Sequence, residues 1–333
     1  MGALDSLPFN EAFVRICLGS IEPFFPSLFS LLSSPHSMIF LLLCIACSSG
    51  IFLLFRAFKG WGAHTLRAIV INYGVAATLG WTLSGGLPTF QSAWGTPWVY
   101  TALLVGILFI YLFHLIARST QELGITATSI AAKLSMVIPV AFFLAFDPND
   151  EPAMMKLVAV GLAIPAVVFS SWKSEKQPSL KTWSIPLIIF LGGGLVDLMF
   201  GWFSGPEHMT QIEYRYLFAT IPFSVAFLIG LIVLVKQHLG QLENDVSHSK
   251  SITWVGGVIL GVINFGSLYF LLESYDKLTL DRSAIMPITN LGIVLVSSLF
   301  AMMAFKEKLS AMNWLGLLLG ALSIGMLLDQ GLN

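Results

Sequence analysis

Between Met38 and Leu328 the chain is built from ten apolar stretches: 38–57, 67–84, 98–117, 124–146, 154–172, 184–203, 215–235, 252–272, 283–304 and 311–328. An α-helix needs about 20 apolar residues to cross ~30 Å of hydrocarbon. Strands of a membrane barrel are about 10 residues long and alternate apolar with polar, so these continuous runs exclude a barrel. The gaps are short and hold most of the charge and turn residues, as in Gly85-Gly86-Leu87-Pro88, Asp147-Pro148-Asn149-Asp150, Lys173 to Lys181 and Gln237 to Lys250. None is long enough to fold alone. Only 11% of the 333 residues are charged, against about 25% in soluble domains, too few to cover a soluble surface of that size. The expected fold is an all-α integral membrane protein with ten transmembrane helices, in a cell membrane of plasma or cytoplasmic type.

Residues 1–37 are different. From Ala12 to Pro35 the chain is apolar but broken by Arg15, Glu22, Pro23 and Pro26. This segment reads as an N-terminal extension, either an interfacial helix or a stretch upstream of a mis-called start. The missing basic n-region is a poor fit to a signal peptide. Cys44 and Cys47 have a C-x2-C spacing, but with no second pair and no nearby histidine they read as small buried residues rather than a metal site. No metal or other cofactor is expected. The net charge of −1 gives no basic excess for nucleic acid.

A shift of 155 positions lays the second half over the first. Leu123-Gly124-Ile125-Thr126-Ala127-Thr128-Ser129-Ile130 falls on Leu278-Thr279-Leu280-Asp281-Arg282-Ser283-Ala284-Ile285, and Gly161 falls on Gly316. A slightly smaller shift places Leu66-Arg67 on Tyr214-Arg215. Landmarks of spans two, four and five thus recur in order in seven, nine and ten. Five helices are an odd number, so a second copy enters from the opposite side. Inverted repeats around a midplane site are a design of secondary transporters. The expected organisation is a first five-helix repeat over 38–172, an inter-repeat loop at 173–183, a second repeat over 184–328 around a central cavity, and a tail at 329–333.

Charges at membrane depth cost ~2.5–3.5 kcal/mol on insertion scales and face partners or cavities. Lys133 lies near the middle of span four and Asp197 two-thirds along span six. Thr126, Ser129 and Lys133 share one helix face, as do Gly194, Asp197 and Gly201. Further polar stripes run through span three (Tyr100, Ile107, Tyr111, His114, Arg118), span eight (Gly257, Gly261, Asn264) and span nine (Ser283, Pro287, Asn290, Ser297), and Asn72 is the polar member of span two. The candidate substrate-binding residues are therefore Lys133, Asp197, Ser129, Tyr111, His114, Asn72, Asn264 and Asn290. Each has a plainer reading. Lys133 and Asp197 can neutralise each other, His114 can be a packing residue, and the asparagines can join helices by hydrogen bonds. Pro139, Pro165, Pro222 and Pro287 interrupt spans and can kink them. No H-E-x-x-H, G-x-S-x-G, P-loop or dinucleotide fingerprint is present, so no catalytic activity is expected.

Three stretches carry a family resemblance: Gly124-Ile125-Thr126-Ala127 with Ile138-Pro139-Val140 at the end of span four; Lys133-Leu134-Ser135-Met136-Val137-Ile138-Pro139; and Lys306-Glu307-Lys308-Leu309 with Trp314-Leu315-Gly316 through Gly325-Met326. In these the chain, over about residues 38–328, resembles the drug/metabolite transporter superfamily, specifically the EamA-type ten-span carriers. The resemblance implies two five-helix repeats around a central cavity and a secondary active transporter of a small metabolite, often outward, working by alternating access. It implies a small-molecule substrate, proton-coupled or exchanged, and a monomer or homodimer in the bilayer. A channel and an integral membrane lipid-modifying enzyme are the rival classes. The latter needs clustered His, Asp or Glu at an interface, and the six histidines are dispersed.

Eleven Lys and Arg residues flank the odd-numbered loops, Arg56, Lys59 and Lys250 among them, against four at the even-numbered loops. With ten spans, the positive-inside rule puts both chain ends outside, whereas the resemblance implies cytoplasmic ends.

Overall fold

A computed structural model of the chain describes residues 35–146, 154–172, 180–203, 212–239, 249–277 and 282–332. Residues 1–34, most of the 173–183 loop and the last residue, for which the sequence suggests an extension, a linker and a tail, lie outside the described residues. Lipid offers no partner for backbone N–H and C=O, so an apolar chain satisfies them within helices. Among the described residues twelve helices follow one another: α1 Pro35–Trp61, α2 Thr65–Leu83, α3 Gly86–Ala93, α4 Pro97–Glu122, α5 Ile125–Leu134, α6 Val137–Phe146, α7 Met154–Ser170, α8 Leu180–Phe203, α9 Ile212–Leu239, α10 Lys250–Lys277, α11 Arg282–Ala304 and α12 Ala311–Leu332. Among the described residues there are no strands. Of the described residues, seven segments are long and apolar enough to cross a membrane: α1, α2, α4, α5 with the start of α6, α9, α10 and α11. Shorter apolar helices occur at Met154–Ser170, Ser184–Phe200 and Ala311–Met326. The chain is an all-α, multi-pass membrane protein.

The helix ends are secured by side chains. His64, extended at the start of α2, accepts the Arg67 N–H through Nδ1 at 3.3 Å. The C-terminus of α4 meets two cations: Arg56 Nη1 donates to Gln121 O at 2.8 Å and Lys59 Nζ to the same oxygen at 3.3 Å, matching the negative end of the helix dipole. Gly124 follows with φ 110°, a conformation that favours glycine. Ser310 and Asn313 cap the start of α12 reciprocally (Ser310 N–H to Asn313 Oδ1, 2.9 Å; Asn313 N–H to Ser310 Oγ, 3.2 Å). The Asn313 amide also donates to Ser170 O at 2.8 Å and Trp172 O at 2.9 Å, closing the end of α7. Ser249 N–H bonds Gly62 O at 3.1 Å, and Ile125 N–H bonds Glu307 Oε1 at 2.8 Å. The helix ends at Trp61, Glu122, Ser170, Lys250, Ala304 and Ala311 are therefore tied together at one end of the bundle, which is also its basic end.

Eight elements form a closed circuit. In order, α5/α6 packs on α11, α11 on α1, α1 on α10, α10 on α2, α2 on α9, α9 on α4, α4 on α8, and α8 back on α5/α6. α7 and α12 lie against each other outside it and pack on α5/α6 and α11 respectively. Glycines permit the closest approaches. At Gly316 an added Cβ would collide with the Ser170 backbone of α7, and at Gly106 with Val225 and Pro222 O of α9. Toward the basic end the circuit is filled by aromatics. Phe55, Phe58 and Tyr73 are fully buried, Phe113 stacks edge-on to Phe55 at 5.1 Å, and the Tyr73 hydroxyl donates to Phe109 O at 2.9 Å.

Candidate functional site

The fourth span is broken. α5 ends at Leu134, Ser135 and Met136 form a turn, and α6 begins at Val137. Pro139 lies just after it, and its missing N–H removes the bond to the carbonyl four residues back while its ring crowds it. That carbonyl belongs to Ser135, and it accepts from the Ile138 N–H instead, at 3.0 Å.

Three elements converge on the break. From α8, Asp197 Oδ2 accepts the Ser135 hydroxyl at 2.7 Å. The triple glycine one turn earlier makes this approach possible: a Cβ at Gly193 would stand 3.0 Å from Ser135 Oγ, and one at Gly194 would collide with Ile138. From α11, the buried Asn290 amide donates to Met136 Sδ at 3.0 Å. Lys133, in the last turn of α5, lies within electrostatic reach of Asp197 of α8 and of Cys44 of α1, and both of those helices touch α5. It forms no ion pair or hydrogen bond among the described residues. Lys133 and Asp197 are half-buried rather than sealed. They sit among helices on several sides and still leave room for water-sized molecules to touch them. The cation lies in the last turn of α5, where the helix dipole favours positive charge, and the anion meets Ser135, the C-cap of the same helix.

The other candidates divide. Ser129 is buried on α5 and bonds Thr126 O at 3.1 Å, one face with Lys133 but engaged with its own backbone. Asn72 and Asn264 meet each other, amide to amide at 3.1 Å, between α2 and α10. The glycine stripe beside them serves that packing: a Cβ at Gly261 would stand 2.8 Å from Asn72 O and one at Gly257 2.9 Å from Ala68 O. Span three's polar stripe faces away from the interior of the circuit. Tyr111 is 54% exposed and His114 is exposed, on the face of α4 opposite Phe109 and Phe113, which pack inward. The sequence pattern identified one face correctly but not its direction, because a Tyr, His and Arg stripe suits an interface with lipid headgroups and water as well as it suits a cavity.

Three residues of the site were missed. Ser135 and Met136 carry the contacts to Asp197 and Asn290, and the signal for them was Pro139 four residues after Ser135. Cys44, read as filler, lies within electrostatic reach of Lys133 and donates its thiol to Ser267 O at 3.1 Å.

No family model matches the chain. The chain is similar to an uncharacterized protein of Haemophilus influenzae, 24% identical over 296 residues, covering 85% of this chain and 94% of that one. It is also similar to a protein of known crystal structure with a TM-score of 0.54 and 14% identity, over 90% of this chain and 98% of the other. At that identity the likeness concerns the fold alone, and it means that this helix arrangement occurs in an experimentally determined structure over nearly its full length.

Proposed function

We propose that the protein is a secondary carrier of the drug/metabolite transporter type, in the cytoplasmic membrane, which moves a small polar or amphipathic metabolite by alternating access. The observation that carries this reading is the broken fourth span, with a cation in no ion pair and a carboxylate both reaching the bundle interior. Irregular backbone at membrane depth is tolerated where it lines a cavity or lies within protein, and discontinuous helices build transporter sites.

The ten-span, inverted-repeat organisation belongs to the same proposal. The seven long helices and the shorter α7, α8 and α12 make up ten spans if α5 and α6 count as one and α3 as a connection. Exchanging each span with the one five places later turns the eight-member circuit into itself: α1 on α10 becomes α8 on α4, α10 on α2 becomes α4 on α9, and α2 on α9 is its own image. Such a packing scheme is what two copies of one five-helix unit in opposite orientation would produce.

In this reading Lys133 attracts an anionic group of the substrate, and Asp197, held by Ser135, positions the ammonium or takes a proton. The basic end, cytoplasmic by the positive-inside rule, is shut by the aromatic cluster, by Arg56 on the end of α4 and by Glu307 on the start of α5. Opening to that side requires those contacts to part, with release toward the other side as the export step. A filled interior favours a carrier over an open channel. The test is uptake and counterflow in proteoliposomes with a panel of anionic and zwitterionic metabolites. Saturable counterflow that is lost in Lys133→Ala and Asp197→Ala is the expected result. Wild-type rates in both variants would sink the site assignment, and single-channel currents would sink the carrier.

A further inference from the structure

α9 and α10 both pack on α2. Near the non-basic end they also reach each other, where the Tyr216 hydroxyl donates to Glu273 Oε1 at 2.8 Å and the ring stacks on Tyr269 at 6.1 Å. Toward the basic end they leave a groove of about 670 Å³ with α2 as its floor. Its walls include Phe227 and Leu231 of α9 and Trp254 and Val258 of α10. Trp254 is 63% exposed and Leu231 and Val258 are exposed too, so the groove opens sideways to the lipid rather than into the circuit.

Its two ends differ chemically. At the basic end it is lined by Arg67, Lys250 and His64, and deeper in by Val70, Ile71, Val75 and Leu79. Arg67 and Lys250 stand in the first turns of α2 and α10, whose N-terminal N–H groups and dipoles add to the anion preference. From Arg67 to Leu79 the floor runs about 18 Å at 1.5 Å per residue, slightly more than one ~15 Å leaflet of the hydrocarbon core. Trp254 lies one turn from Lys250, at the depth where aromatic side chains mark the membrane interface.

We infer that this groove is a binding site for an anionic glycerophospholipid of the leaflet at the basic end, with its phosphate on Arg67 and Lys250 and one acyl chain along α2. A substrate amphiphile fits less well, since the groove lies on the far side of α2 from the interior. A second copy of the chain fits less well too, since the lining cations would face one another across a two-fold contact.

The experiment is native mass spectrometry of the full-length protein released from nanodiscs of phosphatidylcholine doped with phosphatidylglycerol. The expected result is one retained phosphatidylglycerol per chain, preferred over phosphatidylcholine. Near a membrane surface each cation accounts for about a fivefold change in affinity for anionic lipid, so Arg67→Ala with Lys250→Ala lowers retention about 25-fold. Thr78→Trp, which fills the groove from an exposed position while keeping both cations, also lowers it. Lys236→Ala, at an exposed cation of the same end outside the groove, leaves it unchanged. Equal retention in the double variant and in Thr78→Trp, equal retention of both lipids, or a dimer that binds no lipid would each overturn the assignment.

Discussion

α5/α6 and α11 fill comparable places in the helix circuit. Each packs on the other, each supports one of the paired outer helices, and each touches the first helix of the opposite half, α8 or α1. Under the 155-residue shift Lys133 falls on Ile288, Ser135 on Asn290 and Pro139 on Val294. One member breaks in mid-membrane and the other runs unbroken from Arg282 to Ala304. At 139 a proline forfeits the bond to the preceding turn, while the buried Val294 keeps its N–H for the ladder. α11 also carries a proline, Pro287, and stays helical through it, so the break depends on the packing around residues 135–139 as well as on Pro139. Asn290, at the counterpart of the broken turn, does not open its own helix and instead bonds Met136 across the interface. If the halves descend from one unit, the two copies have diverged at these positions, and the buried charged pair of the proposed site lies on the broken side.

That comparison can be tested, starting where the largest effect is expected. Lys133→Ala removes the interior cation, and transport in proteoliposomes should fall by about two orders of magnitude, as loss of a charge-assisted contact of up to ~3 kcal/mol implies. Ile288→Ala should leave transport within about twofold, provided both variants insert and purify normally. A similar loss in both would remove the functional asymmetry. Asp197→Asn should cost about as much as Lys133→Ala if the carboxylate acts directly, whereas Ser135→Ala, which takes away one hydrogen bond to it, should cost about tenfold.

Pro139→Ala should heal the break and make the fourth span resemble α11. Hydrogen exchange at Ser135 and Met136 should slow, stability to heat should rise, and transport should drop. Unchanged exchange there would mean that packing, not proline, sets the break. Glu307→Gln weakens the cap on α5, which carries Lys133. A loss of about 1 kcal/mol is expected from typical capping energies, seen as a lowered melting temperature and faster exchange at Ile125. The smallest effect belongs to span three: His114→Ala and Tyr111→Phe, on the outer face of α4, should leave transport within about twofold of wild type.

Much of this protein was legible in its sequence because the bilayer imposes a length rule on every apolar run and a cost on every interior charge. Those two rules placed the long helices within a few residues of where they form and singled out Lys133 and Asp197. Helical periodicity also grouped residues onto faces, but it carries no information about which neighbour a face meets. Packing decided that Gly257, Gly261 and Asn264 press on α2, that the Tyr111 and His114 stripe looks outward, and that Asn290 reaches across to Met136. The contact of Asp197 with Ser135 joins residues 62 positions apart, and Gly193 and Gly194 on α8 let the two helices close to touching distance there. Local sequence determines which segments become helices and where a proline removes a bond from the ladder, but not which of those prolines breaks its helix. Which side chains then share a site depends on how helices distant in the chain lie against one another, and that is settled by shape and hydrogen bonding in three dimensions.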